Sequence, residues 1–183
     1  MADPIHQRKA IRDAVVNALV AANTSAGARV FPTRVVPWRK LELPAVSVYA
    51  LDEKSDDQQT APRWLKRTLT LAVEAAVRQG ANVDDALDAL ALELEAAMHA
   101  DPTFGDVCGD SALTGTELEV LEQGDQLFGL LRLTYSVTYD TDAPYARDVE
   151  TDDLETIEAQ TSLGGAQAAA DRAEDHIELE APS

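Results

Sequence analysis

The stretch Leu127–Asp140, LFGLLRLTYSVTYD, decides the fold because its side chains alternate in character from Leu131 onward. Apolar residues occupy every second position, and polar or charged residues stand between them. The apolar set is Leu131, Leu133, Tyr135, Val137 and Tyr139. A period of two places the two sets on opposite faces of an extended chain. The stretch therefore predicts a long β-strand with one buried face and one polar face.

The composition changes directly after this strand. The chain has 183 residues and a formal net charge of −18. Residues 141–183 hold 12 acidic and 2 basic side chains, a net charge of −10, which leaves −8 for residues 1–140. Few large apolar side chains follow Tyr145, so the segment has little apolar surface to offset the entropy lost on ordering. We expect an α+β body over residues 1–141 and an acidic, flexible extension over residues 142–183.

Two features of the extension leave other outcomes open. Short helices could form at Thr151–Glu158 and Ala166–Glu180, with Gly164-Gly165 as a break between them. The extension could also be an arm that orders on a partner, because a segment that cannot bury enough of its own surface can do so on another protein.

The body contains a helix, one or two strands, a strand, a second helix and two final strands. Short connections between neighbouring strands favour a mainly antiparallel or mixed sheet of about four strands, flanked by two amphipathic helices. The helices can cover one face, so the other face must meet water or a partner. The predicted elements are a helix beginning at Asp3-Pro4, short or edge strands within Arg29–Lys40, a strand at Ala45–Leu51, a loop or exposed hairpin tip at Asp52–Pro62, a strand at about Trp64–Val77, a helix capped by Asn82 and closed by Pro102, and strands at about Gly115–Glu122 and Leu127–Asp140.

The residues that could carry chemistry do not form a recognisable site. His6, His99 and His176 lie in three separate elements without metal-ligand spacing. Cys108 is the one cysteine and has no histidine in its local sequence, which is typical of a small buried side chain. Adjacent carboxylates such as Asp84-Asp85 are common in so acidic a chain, and no phosphate-binding or EF-hand pattern is present. We expect no enzyme activity and no catalytic, metal or cofactor site.

The composition also limits the partners and the cellular compartment. A strongly acidic chain is a poor candidate for coating nucleic acid. No apolar run approaches the ~18 residues of a membrane-spanning helix, and Met1 begins no signal-peptide pattern. With one cysteine available, no internal disulfide can form, so an intracellular, reducing origin and no membrane contact are expected.

Two basic segments with aromatic residues are the candidate interaction surface. Arg29–Lys40 has four cations and no acid, and the second segment surrounds Trp64. Arginine and aromatic side chains are enriched at protein interfaces, although a solvated basic loop and a nucleic-acid contact are the alternatives. The predicted interaction residues are Arg29, Phe31, Arg34, Trp38, Arg39, Lys40, Arg63, Trp64 and Arg67.

The layout of residues 5–141 resembles the tail terminator, or minor tail protein U-like, family of long-tailed bacteriophages. Tail-completion proteins at the head–tail joint share the general layout. The resemblance rests on element order and local sequence rather than on an invariant motif. The segments that carry it are the opening helix IRDAVVNAL (Ile11–Leu19), the loop RVFPTR (Arg29–Arg34), LPAVSVY (Leu43–Tyr49), a long strand before a Leu/Ala-rich helix, and LRLTYSVTY (Leu131–Tyr139).

The resemblance implies a structural protein of the virion tail or neck that is assembled in the host cytoplasm. Such proteins form a homohexameric ring that caps the tail tube, ends its polymerisation and provides the surface on which the filled head docks. The implied partners are other copies of the chain, the tail-tube protein and a head-side connector protein, with DNA only passing through the bore. Negative walls would not trap a passing polyanion, so an acidic body suits that role. The acidic extension departs from the family pattern.

Two other functions remain open at this stage. The chain could be a head-side connector or tail-completion subunit, which belongs to the same structural class. It could instead be a small non-viral adaptor protein with a disordered acidic tail. Ring formation separates the phage functions from the adaptor.

Overall fold

The computed structural model describes most of the body and two segments near the C-terminus. Within it the chain divides into two units, Met1–Pro144 and Tyr145–Ser183. The residues described are 6–33, 37, 42–60, 63–79, 82–123, 126–142, 156–162 and 172–178.

The described residues of the first unit form two helices and five strands. Their order matches the sequence prediction, and the first strand is the short edge strand predicted within Arg29–Lys40. The bounds are α1 (Gln7–Ala21), β1 (Val30–Phe31), β2 (Ala45–Thr60), β3 (Arg63–Gln79), α2 (Val83–Ala100), β4 (Asp110–Gln123) and β5 (Gln126–Asp142).

The five strands form one mixed sheet in the order β1-β2-β3-β5-β4. Strand β1 runs parallel to β2, with Val30 opposite Val46, and the three other pairings are antiparallel. Strand β5, which contains the alternating stretch, pairs with β3 over Leu127–Asp142 and with β4 on its other side, so it is an interior strand. The predicted α+β class with a mainly antiparallel, mixed sheet and two helices is confirmed.

Both helices pack on the face of the sheet that carries the alternating apolar residues. Helix α1 contacts β1 and β2, helix α2 contacts β3 and β5, and the helices contact each other. Helix α1 places Ile11, Val15 and Leu19 in the core with no exposed surface. Helix α2 adds an apolar stripe at helical spacing: Val83, Leu87, Leu90, Leu94 and Met98. Their burial against the sheet is the main source of stability, since each large apolar side chain contributes roughly 1.5–3 kcal/mol.

Gly129 allows α2 to lie close to β5. A Cβ atom on this residue would lie 2.7 Å from Cδ1 of Leu87 and 2.9 Å from Cγ2 of Val83. Any larger side chain would push the first turn of α2 away from the sheet. The glycine at this point of an otherwise bulky strand is therefore explained by helix packing rather than by backbone conformation.

Three local predictions need correction. Helix α1 is capped by His6, whose Nδ1 accepts a hydrogen bond from the Arg8 N–H at 3.2 Å, and not by Asp3, which lies with Pro4 outside the described residues. The segment predicted as a loop or hairpin tip is strand as far as Thr60, because β2 continues beside β3. Strands β4 and β5 are each longer than predicted. Asn82 caps α2 as predicted, although in a left-handed conformation and without a side-chain hydrogen bond.

The described residues of the second unit form two short strands. Strands β6 (Thr156–Ser162) and β7 (Arg172–Glu178) pair antiparallel, with Ile157 opposite Ile177. Extended pairing replaces the helices that the sequence suggested over parts of 151–158 and 166–180. The flexibility of the acidic extension stays a prediction.

Candidate interaction surfaces

Arg29 and Phe31 are the described members of the first basic segment. The Arg29 side chain is half-buried, because its Nε donates a hydrogen bond to the Pro44 carbonyl at 2.7 Å and its Nη2 donates to the Ser25 carbonyl at 3.2 Å. Arg29, directly before β1, is therefore hydrogen-bonded to Pro44, directly before β2. Phe31 is half-buried in β1 beside Ser47. Arg34, Trp38, Arg39 and Lys40 lie outside the described residues.

The second basic segment opens strand β3, opposite the end of β2. Arg63 forms an ion pair with Asp57 across the two strands, and the Trp64 indole N–H donates to Oε1 of Gln59 at 3.3 Å. Both side chains are thus engaged within the hairpin. Lys66, the remaining cation before Arg67, is exposed.

The described aromatic residues of the two basic segments, Phe31 and Trp64, are far apart in the folded chain. Phe31 lies beside Ser47 at one end of β2, whereas Trp64 lies beside Gln59 near the other end. Twelve residues of strand separate these positions, which is about 40 Å at ~3.3 Å per residue. Among the described members of the predicted surface, Phe31 and Trp64 therefore do not share one patch.

Arg67 belongs to a buried polar cluster that the sequence did not indicate. Its Nη1 donates to Oε1 of Glu53 at 2.5 Å, and its Nε donates to the Thr141 hydroxyl at 2.8 Å. The Tyr139 hydroxyl donates to the other oxygen of Glu53, and Nε of Arg8 on helix α1 lies 3.7 Å from the same oxygen. The Glu53 side chain is only 7% exposed.

The electrostatics of this cluster favour ionised Glu53. Burial alone would raise the pKa of its carboxyl group, but hydrogen bonds from Tyr139 and Arg67 and the charges of Arg8 and Arg67 lower the pKa overall. For Tyr139, burial and the hydrogen bond to Glu53 raise the pKa of the phenol. The cluster is therefore a charged, hydrogen-bonded anchor for the outer part of the sheet.

Strand β4 forms a sheet edge with exposed apolar side chains. Leu118 is 55% exposed, Val120 47% and Leu121 43%. Leu118 and Val120 stand opposite Leu131 and Gly129 and so point to the helix-covered side of the sheet, beyond the reach of α2. Leu121 points to the opposite face.

A row of charged side chains crosses the face of the sheet opposite the helices. Nη2 of Arg132 on β5 lies 2.7 Å from Oε1 of Glu74 on β3, and its Nη1 lies 3.4 Å from Oε2 of Glu117 on β4. These residues line a shallow depression of about 510 Å³ next to Leu118, Glu119 and Leu130. Exposed pairs of this kind contribute little to stability.

Cys108 and His99 each make local contacts with backbone carbonyls. Cys108 is buried, and burial together with the charges of Asp110 and Asp101 raises the pKa of its thiol to about 11, so at neutral pH it is protonated and a weak nucleophile. Nδ1 of His99 lies 2.7 Å from the Glu95 carbonyl in the last turn of α2. Among the described residues, no group of His, Cys, Asp or Glu side chains is arranged to hold a metal ion. None of the described helices has the length and apolar character needed to cross a membrane.

Comparison with known proteins identifies a phage tail family. The model of a family described as phage minor tail protein U matches residues 6–139. Among solved structures, a chain in the virion of a native gene transfer agent particle is similar, with 13% sequence identity and a TM-score of 0.41. That match covers 72% of this chain and 95% of the other. No curated protein matches the chain.

Proposed function

The chain belongs to the phage minor tail protein U family, and from this we propose that it is a structural, non-enzymatic subunit that forms a ring on the end of the tail tube. The ring would end tube polymerisation and present the surface on which the filled head docks. The observation that carries the proposal is the extent of the family match. It begins at the cap of α1 and ends within the last strand of the sheet, so the whole helix-and-sheet unit is accounted for.

Features of the sheet support self-association. The face opposite the helices carries the charged row Glu74–Arg132–Glu117, and the β4 edge exposes apolar side chains. Exposed apolar groups grouped on one surface are typical of interaction sites. A subunit with such surfaces can contact identical neighbours, and a head-to-tail contact that closes on itself gives a ring.

The proposed partners follow from the position of such a ring between the tail tube and the head. They are other copies of this chain, most simply five of them in a hexamer, the tail-tube protein on one side and a head-side connector protein on the other. The net charge of −18 suits a ring whose bore is crossed by DNA, because negative walls repel phosphates. Assembly in the host cytoplasm would precede incorporation into the virion.

We propose that the basic segment Arg29–Lys40 contributes to docking. Arg29 is occupied by backbone carbonyls, so the cations that would meet an acidic partner surface are Arg34, Arg39 and Lys40, with Trp38 between them in sequence. We propose that docking at the other end of β2 involves Arg63, Trp64 and Arg67. Arg63 is exposed and Trp64 is half-buried, whereas Arg67 mainly forms the ion pair with Glu53.

The proposal is tested by adding the purified chain to polymerising tail-tube protein and measuring tube length by electron microscopy. The unmodified chain should stop growth and appear at tube ends. Arg34→Glu combined with Arg39→Glu should weaken this effect, and raised salt should weaken the effect of the unmodified chain, because both act on the same charge attraction. Circular dichroism should show a folded variant, since exposed charges contribute little to stability.

The matched control reverses two exposed cations elsewhere on the sheet, Lys54→Glu with Arg78→Glu, and should cap tubes normally. If a folded Arg34/Arg39 variant caps tubes normally, the segment is a solvated basic loop and not a docking surface. If adding the unmodified chain leaves tube length unchanged, the proposed capping function is contradicted.

A further inference from the structure

We propose that strand β4 is the docking strand for a second copy of this chain, and that the basic segment Arg29–Lys40 of that copy lies along it. The inference rests on the ring proposed above and names the contact between its subunits. Three properties of β4 carry it: an unpaired backbone edge, apolar side chains on both faces of that edge, and negative charge that matches the basic segment.

The backbone edge of β4 is long and open. Among the described strands, β4 pairs with β5 alone, over Asp110–Gln123. Sheet edges are usually protected by proline, lysine, a strong bulge or short length. Strand β4 contains no proline and no lysine, and its register shift lies near its start, between Leu113 and Gly115. The stretch after Gly115 is therefore a regular edge to which another chain can add.

The exposed apolar side chains lie where an added chain would cover them. Six large apolar side chains are exposed in the described part of the molecule, and three of them are Leu118, Val120 and Leu121. Two point to the helix side of the sheet and one to the opposite side. An added segment that continues the sheet would shield both sides at once, whereas a partner resting on one face would not.

The charges of this edge select a basic occupant. Glu117, Glu119 and Glu122 lie next to the exposed apolar residues in sequence, and residues 110–123 contain no cation. All three carboxylates belong to exposed residues. Because Arg29 and Phe31 are engaged within their own subunit, the segment Arg29–Lys40 offers the cations Arg34, Arg39 and Lys40, no acid and the aromatic residue Trp38. It therefore matches both the charge and the apolar character of β4. The acidic region after residue 141 matches neither.

The geometry of the sheet suits repeated head-to-tail contact. Strand β1, from which the basic segment continues, and β4 are the two opposite edges of the sheet. A single chain therefore carries β1, the described start of the donor segment, at one edge and the acceptor strand at the other. Contacts between unlike surfaces of identical subunits propagate and close into a ring when the rotation allows. Pro32 and Pro37 restrict the backbone pairing to short stretches, so side-chain contacts must supply much of the specificity.

The inference is tested by a charge-swap series read by light scattering and by negative-stain microscopy. Glu119→Arg with Glu122→Arg should raise the dissociation constant of the assembly by at least about tenfold, because like charges then face each other. Arg34→Glu with Arg39→Glu should do the same. The four substitutions together should restore assembly, since each reversed charge regains an opposite partner. The control Asp56→Arg with Asp88→Arg makes the same change in net charge at exposed positions away from β4 and should assemble normally.

The outcomes separate this inference from the proposed function. Rings that form normally from the Glu119/Glu122 variant, or a fourfold variant that stays as weak as the doubles, would overturn the β4 contact while leaving the ring intact. A Glu119/Glu122 variant that forms rings but fails to bind tail tubes would assign β4 to the tube and also overturn the inference. If the unmodified chain forms no ring, alone or on tubes, the proposed function is contradicted, and the β4 contact is contradicted with it. Circular dichroism of each variant excludes misfolding as the cause of lost assembly.

Discussion

Strands β3 and β5 are neighbours along their whole length, yet the same face of this pair is stabilised in two different ways. Beneath the helices it presents Leu71, Val73 and Leu133, all without exposed surface. Towards the β2–β3 turn it presents Arg67 and Tyr139, which hold Glu53 through an ion pair and a hydrogen bond. We call these the covered region and the distal region.

The difference shows how a sheet can extend beyond its helices. Apolar side chains gain from burial only where α1 and α2 cover them. Past the first turn of α1 that cover ends, and polar side chains satisfy one another instead. Arg8, near the start of α1, reaches the distal cluster and lies at the boundary between the two regions. The distal region can thus remain ordered while presenting polar surface to a partner.

The largest effect is expected from a charge in the covered region. Leu71→Asp or Leu133→Asp should unfold the first unit, because an unpaired buried charge costs several kcal/mol against a total stability of about 5–15 kcal/mol. Thermal melting followed by circular dichroism is the measurement. The matched control is Thr134→Asp, next to Leu133 on the half-buried opposite face and opposite the uncharged Ala72 and Gly115, and it should melt much closer to the unmodified chain. Unchanged melting of both leucine variants would contradict the assignment of the strand faces.

An intermediate effect is expected in the distal region. Glu53→Gln removes the charge that Arg67 and Tyr139 hold and should lower the free energy of unfolding by about 2 kcal/mol at neutral pH. The pKa of Glu53 is lower in the folded chain than its ordinary value of 4.5. Its stabilising contribution is therefore present above pH 4.5 and lost as pH falls through the lower folded value.

Denaturant unfolding at a series of pH values checks this expectation. The difference in stability between the unmodified chain and the Glu53→Gln variant should be largest above pH 4.5 and shrink in acid. A difference that stays constant down to the acid limit would show that the substitution acts through packing. Glu117→Gln, which removes an exposed carboxylate from the charged row, is the control and should change stability little.

The smallest effect on the body is expected from removing the acidic extension. Deletion of residues 148–183 should leave the first unit folded and shift its melting temperature by only a few degrees, because the segment has little apolar surface and much like charge. Size-exclusion chromatography and thermal melting of the truncated chain test this. Aggregation or loss of assembly would instead identify the extension as an arm that completes an interface.

The sequence predicted the covered region well because its signals are local. Alternation in β5 identifies the buried face before any partner strand is known, and Leu133 lies on it as predicted. The apolar stripe of α2 likewise follows from helical spacing alone. Both patterns depend on residues only a few positions apart, so the sequence contains all the information they need.

The distal cluster and the β4 edge could not be predicted in the same way. Glu53 lies in a polar stretch, and its partners Arg67 and Tyr139 are 14 and 86 residues away. Leu118 and Val120 alternate as buried residues do, but β5 lies between β4 and β3, so β4 is the outer strand and α2 does not cover it. Both features depend on strand order and helix reach, which local patterns do not contain.

Mass and shape in solution test the central claim, that the chain forms a ring, most directly. Light scattering after size exclusion, together with negative-stain microscopy with and without tail tubes, is the measurement. The account predicts a mass near that of six 19.7-kDa chains, about 118 kDa, and closed rings free in solution or on tube ends. A chain that is monomeric alone and assembles only on tubes agrees with it. A 19.7-kDa monomer at every concentration, with bare tube ends, would contradict it.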